Sequence, residues 1–336
     1  IESVLEQNIY PDSQLQIVET DNTRMIVWTD DDRTRESVDR SKLVYSIYDE
    51  QSGWSQPQAV VDDGTADYSP TVIADNSHIY VAWQNNKKAY GTDANLSDVA
   101  KETEICMSVW DDSTNSFSKA IKMSSAGNAA YSPKMALNAS GNPYVAYITN
   151  TAGNPFLTEG KNNIEYAVYD GSTVENTVIS SDIGLVTSFS TKYTDNYEVS
   201  YTLDKDGDYS TLSDRELYTV KNGSTINSSK NTDANSNIQY KDWNGKTYSF
   251  WYADGSIIMA DNSGKQTTIY TDTTGLLTDN FSIITGNDSQ LAVIWTAAYS
   301  EDDKQIQGIL YDVVSGKYTQ MVQLSNIEGD ISQPSG

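Results

Sequence analysis

Asp204, Asp206 and Asp208 occupy alternate positions in the stretch LDKDGDYSTLSDREL, residues 203–217, and Asp214 follows near its end. Carboxylates at this density repel one another, and a hard divalent cation that takes oxygen ligands relieves the repulsion. The chemistry on offer is Ca2+ binding, with Asp204, Asp206, Asp208 and Asp214 as ligands. The competing reading is an acidic hairpin kept apart by solvent. An EF-hand is excluded. Its loop needs Gly at position six and Glu at position twelve, and counting from Asp204 these are Tyr209 and Arg215. Its flanks must be helical, whereas NYEVSYTL before and ELYTV after alternate like strands. Two other acidic runs, Asp30 to Asp32 and Glu301 to Asp303, are weaker candidates for the same chemistry.

Other reactive side chains are few. The chain of 336 residues has one histidine, His78, and one cysteine, Cys106. That rules out a Ser-His-Asp or Cys-His relay and a zinc site built on histidines. Cys106 sits in the apolar run ICMSVW and reads as a buried thiol that packs as a small hydrophobe. Hydrolysis would have to run on carboxylates, as in glycosidases that set two carboxyl groups across a sugar bond. A carboxylate-dependent glycoside hydrolase or lyase is therefore the alternative to a binding role. With 47 acidic against 22 basic residues the net charge is −25. Such a surface repels nucleic acid and anionic lipid, because phosphate binding needs clustered Lys and Arg. No apolar run approaches the roughly 18 residues of a spanning helix. The chain starts at Ile1 without a signal-peptide pattern, which reads as a mature segment or a piece of a longer protein.

The elements that must position these residues are strands, and they repeat. YSPTVIADNSHIYVAWQ (68–84) and YSPKMALNASGNPYVAYIT (131–149) each alternate apolar and polar residues, turn at Asn, Ser or Gly, and alternate again. Four weaker copies complete a set of six hairpins. The second strand of each carries an aromatic at the same point: Trp28, Trp83, Tyr147, Tyr201, Trp251 and Trp295, at intervals of 44 to 64 residues. Residues shared by every unit are expected to pack between sheets rather than to meet a ligand. A third strand and a short fourth follow in each unit; the copy near residues 224–228 is the least distinct. Four antiparallel strands repeated six times predict an all-β fold, a six-bladed β-propeller of four-stranded antiparallel blades, as a single domain over 1–336. An array of β-sandwiches is the rival, but units this short are small for independent folding. Residues 3–7 copy the end of a blade and are expected to form an extra outer strand that closes the ring.

In this topology the turns between first and second strands are short, whereas five of the six loops between second and third strands are long: 30–41, 85–104, 150–163, 204–214 and 297–305. Long loops in a compact fold carry function more often than short ones, so the face they share is the expected working face. Aromatics that break the repeat there are the expected ligand contacts: Tyr90, Phe156, Tyr209 and Tyr299.

The six-unit pattern resembles the sialidase-type propellers, and the resemblance covers nearly the whole chain. It implies the fold. Those enzymes share an arginine triad, an Arg-Ile-Pro element and Ser-x-Asp-x-Gly-x-x-Trp turns. This chain has five arginines, four of them in the first unit (Arg24, Arg33, Arg35 and Arg40; the fifth is Arg215), and no Arg-Ile-Pro; YDEQSGWS (48–55) is a loose relative of the turn. The composition and the recurring VAW and Tyr-Asp patterns are closer to non-catalytic propeller modules of secreted or surface-attached bacterial proteins. The expectation is thus a monomeric extracellular or cell-surface module. It would bind a glycan or a protein through the long-loop face, with Ca2+ as the expected ion.

Overall fold

Period-two alternation appears as 27 strands among the described residues, which are 9–10, 13–153, 161–208, 211, 213–229, 234–286, 289–300 and 303–325 of a computed structural model. They form six antiparallel sheets, each built from consecutive strands, arranged as a six-bladed β-propeller. The second and third strands, which carry most of the core, are Arg24–Asp31 with Ser41–Asp49, His78–Asn86 with Thr103–Asp111, and Pro143–Asn150 with Asn162–Tyr169 in blades one to three. In blades four to six they are Tyr197–Asp204 with Arg215–Lys221, Lys246–Ala253 with Ser256–Ala260, and Gln290–Ala298 with Lys304–Asp312. The indistinct fourth strand is present as Ser224–Asn227. In the third blade that strand is long, Val174–Ile183. The extra strand expected at 3–7 lies outside the described residues. The chain forms two compact units, residues 1–184 with 192–197, and 185–191 with 198–336.

The six repeated aromatics are at most 3% exposed. Four of them pack as their shared position predicts, against the neighbouring sheet, whereas Trp28 packs with Ile26 and Val44 of its own blade and Tyr201 stacks on Tyr218 of its own sheet. In the first unit, Trp83 of blade two joins Met25, Val27, Leu43 and Tyr45 of blade one, and Tyr147 of blade three joins Ala82, Ile105 and Met107 of blade two. In the second unit, Trp251 meets Leu217, and Trp295 joins Phe250, Ile257 and Met259. Middle strands are apolar on both faces because both faces are covered.

The Tyr-Ser-Pro element has a mechanical reason. Register slips between Tyr68 and Thr71 and between Tyr131 and Lys134, and the serines between them have φ of 49° and 53°. Each is a β-bulge, which leaves one residue unpaired and so admits a proline inside a strand. Blade five repeats the slip at Asn237, φ 48°.

Outside blade four, whose turn runs through Asn222 and Gly223, the turns between third and fourth strands are built on aspartate. Asp49 Oδ1 accepts from the N–H groups of Gln51 and Ser52, and Asp170 Oδ1 from those of Ser172 and Thr173. Asp261 and Asp312 do the same with Ser263 and Ser315. These hydrogen bonds favour the charged form and hold the four carboxyls below the usual range. A group held low in the folded state contributes stability that is present above its unfolded pKa and is lost as pH falls through the folded one. Stability is therefore expected to fall as pH drops below about 4. Asp170→Asn keeps an acceptor oxygen and should flatten that fall, whereas Asp170→Ala should lower the urea midpoint already at neutral pH. Urea midpoints across the acid range check both.

Candidate functional site

The second-to-third loop of blade four is bounded by a cross-strand pair, Asp204 opposite Arg215. Asp204 ends its strand 3% exposed. The chain then bends sharply enough that Gly207, at φ +79°, returns its N–H to Asp204 Oδ1 at 2.8 Å. Asp208 N–H donates to Asp206 Oδ1 at 2.7 Å, and Asp206 N–H donates to Asp214 Oδ2 at 2.9 Å. Carboxylate oxygens of Asp204, Asp206 and Asp214 thereby converge within 4.8 Å of one another. Asp214 Oδ1 is buried with no hydrogen-bond partner. Arg215 Nε stands 3.5 Å from Asp204 Oδ2 and balances one of the three charges. Lys205 pairs with Glu216, at 2.7 Å. Burial pushes the Asp204 carboxyl up, and the charges of Asp214 and Asp206 push the same way, against the Gly207 N–H and Arg215.

The donor set is all carboxylate oxygen, which suits a hard cation such as Ca2+. Both flanks are strands, as the exclusion of an EF-hand requires. Of the four aspartates expected to act together, three converge. Asp208 is outside the group: the loop has turned by then, and its carbonyl accepts from Thr211 N–H at 3.2 Å.

The other acidic run in the first blade has a different role. Asp31 pairs with Arg33 at 3.2 Å and with Arg40, and Asp32 pairs with Arg35 at 3.5 Å and Lys42 at 3.7 Å. Arg35 and Lys42 also hold Asp62. The crowding of arginines in this blade is thus an ion-pair network that neutralises the carboxylates. Glu301 lies outside the described residues; Asp303 ties its own loop, its carbonyl accepting from Tyr299 N–H at 2.9 Å.

Tyr90 is half-buried among its own loop. Its N–H donates to Asp39 Oδ2 at 2.7 Å, and Lys88 Nζ lies 5.2 Å from its ring centre. Tyr299 is 48% exposed and accepts from Gln307 Nε2 at 2.7 Å, which steadies a ring open to solvent. Phe156 and Tyr209 lie outside the described residues. The helix Leu96–Lys101 inside the second blade's loop is a feature that alternation did not indicate. It is docked by Tyr131, whose hydroxyl is shared between the carbonyls of Ala100 and Gly153. Gly153 has φ +79°, and a Cβ there would lie 2.1 Å from Lys101 Cγ, so only glycine allows this approach.

His78 sits at the end of a first-to-second turn, with Nδ1 3.2 Å from Asp75. Cys106 is a buried free thiol, pushed up by burial and then by Glu104. Four buried carboxylates escaped the sequence reading: Asp39, Asp67, Glu165 and Glu198.

No protein-family profile matches this chain, and no curated protein does. Solved structures do. The chain is similar to Trypanosoma rangeli sialidase in complex with 2,3-difluorosialic acid, with a TM-score of 0.57 and 11% identity over 93% of this chain and 55% of that one. It is similar to puromycin hydrolase, S511A mutant, with a TM-score of 0.56 and 11% identity over 91% of this chain and 44% of that one. It spans about half the length of these proteins, and identity this low establishes the six-bladed propeller fold alone.

Proposed function

We propose that this propeller is a secreted or cell-surface binding module. It takes a glycan or protein ligand on the loops between second and third strands, and the blade-four loop holds a Ca2+ ion on Asp204, Asp206 and Asp214. The observation that carries this reading is the convergence of three carboxylates with Arg215 as their one ion-pair partner among the described residues, on a loop held in shape by its own N–H groups. A bound Ca2+ would supply the remaining charge and fix the loop beside the ligand surface. Tyr299 offers an exposed ring for stacking.

Calcium binding requires ionised ligands, so affinity should weaken as pH falls, and Asp204→Asn and Asp214→Asn should each reduce it by tenfold or more, on the scale of about 1.4 kcal/mol. The test is a broad glycan and polysaccharide array, probed with wild type in calcium, wild type in chelator, and Asp214→Asn. Selective binding that disappears in the last two supports a glycan ligand with a structural ion. Silence in every arm removes the glycan reading and leaves the protein ligand, to be sought by pull-down on the loop face. Turnover of a polysaccharide would establish a carboxylate-dependent hydrolase or lyase instead.

A further inference from the structure

The fourth strand of each blade ends its sheet and leaves one edge unpaired, and three blades break that edge. In blades one, two and six the strand is split into short pieces: Gly53–Trp54 with Gln58–Ala59, Ser116–Phe117 with Ile121–Lys122, and Lys317–Tyr318 with Val322–Gln323. The break has one construction. The N–H groups of Ser55, Ser118 and Thr319 donate to the carbonyls of Ile47, Val109 and Leu310. Their hydroxyls accept from the N–H groups of those same three residues, at 3.0 to 3.1 Å. A side-chain oxygen thus takes the place of a backbone carbonyl and interrupts the ladder. Short and interrupted edges guard a sheet against the addition of a foreign strand.

Blade three lacks this guard. Its fourth strand, Val174–Ile183, is unbroken. The register slips only around Ile164, and residues 174–178 pair one-to-one with 169–165. Among the described residues no further strand pairs with it. In an antiparallel ladder alternate residues turn their N–H and C=O away from the partner strand, so this stretch offers a row of open donors and acceptors. It carries neither Pro nor Lys, and Val174, Thr177, Val178 and Ile179 favour extended backbone. Residues 175–178 are exposed. The strand is nevertheless held in place, because Asn176 Nδ2 donates to Met123 O at 2.6 Å and to the Tyr147 hydroxyl at 2.9 Å. Alternation sets Glu175 on one face and Val178, 55% exposed, on the other. An added strand would therefore run beside a carboxylate on one face and an apolar side chain on the other. The net charge of −25 attracts cationic chains and opposes the pairing of two copies.

We propose that the open edge of blade three takes an extended segment of another protein as a fifth strand, and that this segment alternates basic and apolar residues. Main-chain hydrogen bonds to residues 174–178 supply the affinity, and the side chains beside Glu175 and Val178 supply the specificity. This surface uses the backbone of a fourth strand rather than the loops between second and third strands, so it stands or falls independently of the reading above.

The probe is a short fluorescent peptide of alternating lysine and valine, read by anisotropy with wild type, Glu175→Lys and Val178→Lys. Two control peptides accompany it. One has glutamate in place of lysine; the other keeps the lysine-valine sequence but is N-methylated at every residue, which preserves its charge and removes its backbone donors. Wild type should bind the first peptide and bind each control at least about tenfold more weakly. Glu175→Lys sets like charges side by side and should weaken binding about tenfold or more, although it changes the net charge of −25 by only two. Val178→Lys installs the lysine that guards other edges and should weaken it comparably. Amide exchange at residues 174–178 should slow when the first peptide is bound. No binding of that peptide, or equal binding of its N-methylated form, would overturn the proposal, the latter because charge alone would then account for the attraction. Unchanged affinity in both variants would overturn it as well. A dimer in sedimentation that Val178→Lys dissolves would assign the edge to a second copy instead. The peptide comparison needs wild type alone, so the conclusion does not depend on how the variants fold.

Discussion

Replacing Trp295 with alanine is expected to destabilise the second unit by about 3–5 kcal/mol. That corresponds to a fall in melting temperature on the order of 10 °C. Trp295 is 1% exposed and lies in the cluster that joins blades five and six, with Phe250, Ile257, Phe281 and Ile309. Its ring also stacks on Tyr270, with centroids 4.8 Å apart. Alanine would remove the whole indole from between two sheets whose backbones are fixed by their ladders, so the gap cannot close by small shifts. A tryptophan of the same repeat position in a ligand platform would behave otherwise: its loss would spare the melting temperature and reduce binding. Thermal unfolding followed beside the glycan or protein binding assay separates the two. A melting temperature within a degree or two of wild type would show that the repeated aromatics are not the interblade core.

What the sequence displayed was whatever depends on neighbouring residues. Alternation along YSPTVIADNSHIYVAWQ sets which side chains face which sheet, and six copies of it set the number of blades. The Tyr-Ser-Pro element looked like a repeat marker, and its cause, a bulge with a serine at φ near 50°, needed the backbone. Long loops were legible as loops because they lack alternation, but their internal order comes from distant partners. The helix Leu96–Lys101 is held by Tyr131 and by a glycine more than fifty residues away from it, contacts with no local trace. The aspartate loop was legible as an acidic cluster. Which three carboxylates converge depends on the bend at Gly207, and Asp208 is carried past the group by that bend. Asp30 to Asp32 looked similar in sequence and differ in kind, because Arg33, Arg35, Arg40 and Lys42 surround them.

Glu165 is the other residue where a large effect is expected, and it bears on whether a tyrosine–carboxylate pair in this fold is reactive. Glu165 Oε2 accepts from Ser125 Oγ at 2.9 Å and from the Tyr147 hydroxyl at 3.3 Å, and Oε1 accepts from Thr149 Oγ1 at 2.8 Å. The Tyr147 hydroxyl in turn accepts from Ser125 N–H at 3.2 Å and from Asn176 Nδ2 at 2.9 Å. Burial, and then the Glu165 charge, push the Tyr147 phenol up, so the oxygen is held protonated and hydrogen-bonded rather than poised as an oxyanion. A nucleophile must reach its substrate, and these two residues are 0% and 5% exposed at the interface of blades two and three. The pair therefore fastens the fold. Glu165→Ala would take the acceptor from two buried hydroxyls and the half-buried Ser125 hydroxyl and leave a cavity, for a loss of about 2–4 kcal/mol after the relief of burying one charge fewer. Glu165→Gln keeps one acceptor oxygen and lets the Thr149 hydroxyl turn to accept from the new amide, so its loss should be about 1 kcal/mol. Urea unfolding of the two variants should give that order. Alanine and glutamine variants of equal stability would mean that the hydroxyls find water, and that the carboxylate is not what holds the two blades together.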